Sequence, residues 1–115
     1  MATIQHTNAA TDGSIVYTWT GMLNTDVGTA IYLDGKHHLT AQVLGTFNGA
    51  TIEFDGSIDG VNFVASTKKN AAGGVVFTVA GMAAFDTEPL YVRPKVTGGG
   101  ALTSVTCILL VRGGE

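Results

Sequence analysis

The 115-residue sequence has little of three things: it contains one cysteine, two prolines and few charges. A single thiol excludes an intrachain disulfide, and the position of Cys107 in an apolar run predicts a buried, unreactive side chain. Charged residues make up 13% of the chain, and Lys68 and Lys69 are its only adjacent bases. Because nucleic-acid binding requires a dense basic surface, we expect no contact with DNA or RNA.

Long apolar runs are also missing. No run approaches the roughly 18 residues of a membrane-spanning helix, and the N-terminus lacks the basic segment and apolar core of a signal peptide. We therefore expect a soluble protein with no membrane segment and no signal peptide. The 45% of hydrophobic residues and the 16 glycines are typical of one compact, turn-rich domain.

Alternating polarity around a glycine-framed turn is the clearest pattern in the chain, within Gly45 to Ser66. Residues 51–55 and 61–65 alternate apolar and polar side chains on either side of the sequence GSIDG. This pattern predicts a β-hairpin in which Phe54 and Phe63 can meet on one face.

Similar alternation recurs along the chain and predicts about eight short strands, with no convincing helix. The fold class is therefore all-β: a single-domain β-sandwich over residues 14–115, of the jelly-roll type with about eight antiparallel strands. The small polar residues 1–13 form a short N-terminal arm outside the core. The clearest strands after the arm are Ser14–Met22, His38–Gly45, Val75–Ala80, Leu90–Thr97 and Thr103–Arg112.

The last two strands carry unusual residues. Pro94 lies on the inward-facing set of its strand and has no N–H to donate, so we expect this strand at a sheet edge or with a bulge. In the final strand Ile108 and Leu110 alternate with an inward apolar set. A strand that is apolar on both faces is covered on both, by a second sheet or by another subunit.

No metal or catalytic motif is complete. The sequence DGSIDG at 55–60 resembles the start of a calcium loop, but Ser66 stands where the bidentate acid is required. His37 and His38 point to opposite faces of an extended chain and therefore cannot coordinate the same metal ion. The acids fall mostly in turns, and no serine or cysteine sits beside a base in a nucleophile elbow. We expect no enzyme activity, no metal and no cofactor.

The aromatic residues leave two interpretations open. Aromatic rings can stack on the apolar faces of sugars, or they can pack in a core or an interface. The residues concerned are Tyr17, Trp19, Tyr32 and Tyr91.

Three segments carry a resemblance to known proteins: GTFNGATIEFDGSIDGVNF, EPLYVRPKVTGGG and TSVTCILLV. Together they resemble small virion proteins of tailed bacteriophages and prophages, and most closely the capsid decoration, or cement, proteins. In that family the hairpin more often has tryptophan where this chain has Phe63. The resemblance covers about the last two-thirds of the chain.

The resemblance implies a jelly-roll protein that sits on the exterior of the capsid, clamps neighbouring major capsid proteins and forms a homodimer or homotrimer. Such a protein is made in the host bacterial cytoplasm and contacts neither nucleic acid nor membrane. A carbohydrate-binding or adhesion module of a head or tail fibre, or a tail or head-completion component, remains open. The candidate interface residues are Ile4, His6, Trp19, Tyr91, Ile108 and Leu110.

Overall fold

The computed structural model describes residues 3–11, 14–33, 38–66, 73–86 and 89–112. Twelve β-strands and no α-helix are found in these ranges, so no helix there could cross a membrane. The strands are β1 (Thr3–Ile4), β2 (Thr7–Thr11), β3 (Ser14–Met22), β4 (Val27–Gly28), β5 (Ile31–Tyr32), β6 (His38–Thr46), β7 (Ala50–Ser57), β8 (Val64–Ala65), β9 (Val76–Phe77), β10 (Gly81–Ala84), β11 (Tyr91–Gly98) and β12 (Ser104–Arg112).

The strands form two sheets. Sheet A has the order β1-β4-β11-β7-β8, with β5 also paired to β11 and β9 to β7. Sheet B has the order β10-β6-β12-β3-β2. The pairs are antiparallel except β1 with β4, which is parallel.

The connectivity is that of a jelly roll. Strands β4 and β5 lie end to end along one side of β11, and β8 and β9 do the same along β7. When each of these pairs is counted once and β1 and β2 are set aside, eight strands remain and follow the jelly-roll order. The all-β sandwich is confirmed. There are twelve strands instead of about eight because two strand positions are interrupted and the N-terminal segment adds two more.

The core lies between the sheets and consists of the inward residues of the alternating strands. On β12 every second residue is buried, and Cys107 among them has its pKa raised to about 12 by burial. The predicted buried thiol is confirmed. Buried inward residues of the long strands include Leu39, Ala41, Val43, Ile52, Phe54, Val92, Val96, Val105, Leu109 and Val111.

Trp19 joins the two sheets. Its side chain, on β3 of sheet B, is fully buried and packs edge to face on Phe54 of sheet A, with ring centroids 6.5 Å apart. Its Nε1 donates a hydrogen bond to the Thr29 carbonyl oxygen, 3.1 Å away. A Cβ atom on Gly28 would lie 2.7 Å from Trp19 Cδ1 and 2.6 Å from Pro94 Cγ, so only glycine leaves room for the indole.

Pro94 corrects one expectation. Its strand, β11, is a middle strand of sheet A without a bulge against β7. The Val96 N–H donates to the Asp26 carbonyl, and backbone nitrogens two residues apart point to the same side of a strand. The Pro94 nitrogen therefore points to the gap between β4 and β5, where no ladder bond is required.

The hairpin is confirmed, but one of its contacts was wrong. Strand β8 is only two residues long, and it places Ala65 opposite Asp55, on the outer face of sheet A. Since Phe63 is two residues from Ala65, it shares that outer side and does not meet Phe54 in the core. Its ring instead lies against Arg93.

Two other segments differ from expectation. The predicted strand Val75–Ala80 is reduced to β9, and Val79 is 69% exposed; the segment that follows it forms β10 against β6. The described part of the predicted arm, residues 3–11, pairs with both sheets through β1 and β2. His37, the adjacent bases Lys68 and Lys69, and the boundary at residue 13 lie outside the described residues.

We predict that Gly28→Ala lowers the free energy of unfolding by about 2 kcal/mol or more, because the methyl group would overlap Trp19 and Pro94. Urea unfolding followed by the fluorescence of Trp19, the only tryptophan, measures this directly. Gly81→Ala is the matched control, since its Cβ would lie 3.4 Å from the nearest side-chain atom, in Phe77. Equal stabilities of the two variants would contradict the prediction.

Candidate binding surfaces

Three of the predicted interface residues pack inside the molecule around Thr29. The Thr29 N–H donates to the Ile4 carbonyl, its Oγ1 lies 2.7 Å from His6 Nδ1, and its own carbonyl accepts the indole N–H of Trp19. The His6 ring also lies 5.8 Å from the Trp19 ring. Trp19 is therefore excluded as a contact residue by its burial, and Ile4 and His6 are half-buried on this chain's own sandwich.

The other three predicted residues lie on the outer faces, on opposite sides of the molecule. Tyr91 is on the outside of sheet A, whereas Ile108 and Leu110 are on the outside of sheet B. All three are half-buried. The structure thus contains two candidate surfaces instead of one cluster.

The outer side of sheet A, which we call the charged face, carries paired polar residues on neighbouring strands. Arg93 lies opposite Asp55 in the register of β11 and β7, and opposite charges at such positions favour the pairing. One end of the face has two tyrosines whose ring centroids are 5.3 Å apart. The charged face consists of Tyr32, Glu53, Asp55, Tyr91, Arg93 and Lys95.

The centre of the charged face is shielded from water. The guanidinium carbon of Arg93 lies 4.0 Å from the centroid of the Phe63 ring, a cation–π contact. Asp55 is 2% exposed, and neither its Oδ1 nor the Arg93 Nε has a hydrogen-bond partner in the described part of the chain. The pKa of Asp55 is raised to about 7, mainly by burial and also by hydrogen bonding to Glu53 and by repulsion from its charge. The positive charges of Lys95 and Arg93 lower this pKa, but by less than the other effects raise it.

The hairpin turn beside the charged face is organised by Asp59. Its Oδ1 accepts hydrogen bonds from the backbone N–H groups of Val61 and Asn62, both at 2.8 Å, and from the Ser57 hydroxyl. Its Oδ2 accepts a bond from Asn62 Nδ2 at 2.7 Å. These bonds favour the carboxylate and hold the pKa of Asp59 well below its usual range. The carboxylate is thus engaged in closing the turn.

A cleft of about 540 Å³ opens beside this turn. Its walls are mostly apolar and include Ile58, Val64 and Pro89, while Ser57 and Asn62 place polar groups at its lining. Clefts of this volume and composition are typical of small-ligand sites.

The outer side of sheet B, which we call the neutral face, has a different character. Its residues are identified by register: Ile108 lies opposite Thr18 and Gln42, and Leu110 opposite Val16 and Thr40. Arg112 and His38 are opposite each other at one end and border it. The neutral face consists of Thr7, Ala9, Val16, Thr18, Thr40, Gln42, Leu44, Met82, Ala84, Thr106, Ile108 and Leu110.

Among the described residues no three of His, Cys, Asp and Glu come together in a group that could hold a metal ion. The carboxyl groups of Asp55 and Glu53 interact with each other, and Asp55 is buried.

The sequence contains a signal for each surface, but a surface is formed only when strands become neighbours. Alternation along residues 90–97 predicts that Arg93 and Lys95 point outward, but the opposing acids on β7 become their partners only through the pairing of those strands. Likewise, the uncharged outward residues of β3, β6 and β12 form one face only because β12 lies between the other two.

We predict that Asp55→Asn changes how stability depends on pH. The folded pKa of Asp55 is raised above its unfolded value of 3.8, so its contribution to stability is present below that value and is lost as the pH rises through about 7. The free energy of unfolding of the variant, measured relative to the wild type, should therefore be about 2 kcal/mol higher at pH 8 than at pH 5.

Urea unfolding at the two pH values measures this difference. Asp86→Asn, which changes an exposed carboxylate, is the control and should leave the difference near zero. If the stability of Asp55→Asn relative to the wild type were equal at both pH values, the raised pKa would be contradicted.

Comparison with known proteins identifies the fold. No protein-family model matches the sequence, and no curated protein sequence is detectably similar to it. Among solved structures, the SPBc2 prophage-derived protein YomS matches with a TM-score of 0.63 and 15% identity, over 90% of this chain and 98% of YomS. The K2 cleaved adhesin domain of Lys-gingipain matches with a TM-score of 0.51 and 15% identity, over 96% of this chain and 83% of that one. This chain therefore shares its β-sandwich fold with a prophage-derived protein and with an adhesin domain.

Proposed function

We propose that this protein is a structural component of a tailed-phage particle that binds the outer surface of the head and stabilises the lattice by bridging major capsid proteins. One observation carries the proposal. The segments 45–63 and 88–100, which resemble phage virion proteins, contain β7 and β11, and these strands pair along their whole lengths. Two of the three segments that carry the resemblance therefore form one structural unit, and the outer side of that unit is the charged face.

The charged face has the composition of a reversible protein-binding surface. Interfaces between proteins that also exist apart are about as polar as the rest of the surface, with tyrosine and arginine enriched. Here Tyr32 is 54% exposed beside Tyr91, and Lys95 and Glu53 flank the shielded Asp55 and Arg93. A partner surface with complementary charges would be attracted to this face, and the tyrosines would supply the apolar contacts that stabilise the complex.

The fold likeness supports the same proposal. YomS is a prophage-derived protein that matches over nearly its whole length, so a single domain of this size and fold does occur among prophage-encoded proteins. In the proposed role the protein acts at the exterior of the virion after synthesis in the bacterial cytoplasm. Many copies, each with moderate affinity, would stabilise the lattice together.

Mixing the purified protein with undecorated heads tests the proposal. We expect saturable binding and increased resistance of the heads to heat or low ionic strength. Tyr32→Ala should weaken binding about tenfold, because an exposed aromatic anchor is lost while the core is unchanged. Added salt should also weaken it, since the charged face contributes attraction.

Val79→Ala is the matched control, because Val79 is 69% exposed in the turn between β9 and β10 and lies outside the charged face. It should bind heads like the wild type. Absence of saturable binding by the wild type would refute the proposal, and equal loss in both variants would refute the role of the charged face.

A carbohydrate-binding or adhesion module is the second candidate, and the cleft beside the hairpin turn favours it. A sugar combines an apolar ring face with hydroxyl groups, which matches the apolar walls and the polar Ser57 and Asn62 of the cleft. The fold likeness to an adhesin domain is consistent with this use of a β-sandwich.

A glycan array separates the two candidates. An adhesion module should give a sugar signal that Asn62→Ala reduces at least about tenfold, since an amide that lines the cleft is removed. Asn8→Ala, a substitution of the same kind at an exposed residue on β2, is the control. A capsid-binding protein without this second activity should give no sugar signal.

A further inference from the structure

The two outer faces of the sandwich divide the charges unequally. Four charged residues, Glu53, Asp55, Arg93 and Lys95, lie on the charged face. The neutral face has none among its residues and is bordered by Arg112 and His38 only at one end. An antiparallel sheet that faces water on one side normally carries polar and charged residues there. The neutral face therefore resembles a covered surface more than a solvated one.

The neutral face also has the anatomy of an interface. Its two central residues, Ile108 and Leu110, are on β12, the middle strand of sheet B. Around them lie threonines and Gln42, and two large apolar side chains towards the margin are exposed, Leu44 by 41% and Met82 by 64%. An apolar centre inside a polar, uncharged rim is the arrangement found in stable protein contacts.

We propose that the neutral face is covered by the neutral face of a second copy of this chain, in a two-fold dimer with sheet B packed on sheet B. A two-fold contact places the same surface on both sides, so a charged group near the axis meets its own copy. The neutral face has no such group and therefore avoids like-charge repulsion. A different partner would allow complementary charges across the contact, and this face offers none.

The area of the face is sufficient for a dimer. Three of its strands, β3, β6 and β12, have nine residues each, and β2 and β10 have five and four. With strands about 4.8 Å apart and about 3.3 Å per residue, the projected area of the whole outer side of sheet B, the neutral face together with the residues that border it, is roughly 600 Å². Because side chains make the accessible area larger than the projection, each copy would bury close to the roughly 800 Å² of a standard interface.

The dimer would give the proposed function its second binding site. Packing through sheet B directs the two charged faces away from each other, one on each side of the dimer. Two identical sites on one particle can bridge two capsid proteins and bind with the advantage of bivalency. This consequence rests on the proposed function, whereas the dimer itself does not.

Sedimentation equilibrium of the purified wild-type chain, from about 1 to about 100 μM, tests the proposal. We expect a mass of twice the 11.8 kDa chain. Leu110→Lys should raise the dimer dissociation constant at least about 100-fold, because each copy would place an unpaired charge at the centre of the contact. Thr18→Lys, which replaces a polar residue beside Ile108 and spares the core, should do the same.

Thr97→Lys is the control, since it adds the same charge at an exposed position on the outer side of sheet A. It should remain dimeric. Circular dichroism and Trp19 fluorescence verify that each variant is folded. If Leu110→Lys does not fold, the result for Thr18→Lys decides the outcome. A monomeric wild type over the whole range, or a dimer that persists in folded Thr18→Lys, would overturn the proposal.

Head binding separates this inference from the proposed function. A wild-type monomer that binds heads, and loses binding in Thr18→Lys, would show that a capsid protein covers the neutral face, which overturns the dimer alone. A wild-type dimer that fails to bind heads overturns the proposed function alone. If both hold, monomeric Thr18→Lys should bind heads more weakly than the dimer, by the factor that bivalency supplies.

Discussion

The burial of Trp19 between the sheets is the constraint on which the rest of the structure depends. Its indole contacts Phe54 of the opposite sheet, and the only room for it is beside a glycine, Gly28. The indole N–H needs an acceptor inside the sandwich, and the Thr29 carbonyl provides it. Thr29 can offer that carbonyl because the strand position beside β11 is interrupted between β4 and β5. Because of the same interruption, no strand lies where Pro94 would otherwise have to donate a ladder hydrogen bond. Thr29 also connects the N-terminal strand β1 to the sandwich, because its N–H donates to the Ile4 carbonyl.

The two faces of the sandwich follow from how a small number of charges is distributed. With only 13% of the chain charged, the residues of the neutral face are threonines and apolar residues apart from Gln42. The described bases of sheet A are opposite its acids across β7 and β11, so the charged face is balanced and partly shielded by Phe63. On sheet B the neutral face carries no charged residue, and Arg112 lies at its border. A protein that associates with itself through one face and with a lattice through the other needs this separation, since an apolar surface favours permanent contacts and a polar one reversible contacts.

Prediction from the sequence succeeded where a residue's environment is set by its own strand. The alternation in β12 gave the correct inward set, because successive side chains of a strand point to opposite sides whatever lies next to it. It failed where the environment depends on a neighbouring strand. Alternation predicts Phe63 on the same face as Phe54, but the length of the turn around Asp59 sets the register of β8 and places Phe63 on the outer side. The candidate Trp19 failed as a contact residue for the same reason: an aromatic pattern does not distinguish a core ring from a surface ring.

The sequence by itself determined the fold class, the position of most of the long strands, the buried Cys107 and a turn around Asp59, since each depends on local periodicity and turn chemistry. Only the tertiary structure decided which strands are neighbours, and with them the pairing of β7 with β11, the central position of β12 and the placement of Pro94 at a gap. Both candidate surfaces belong to this second group. A surface is assembled from residues far apart in the chain, and its charge and area exist only once the order of the strands in each sheet is established.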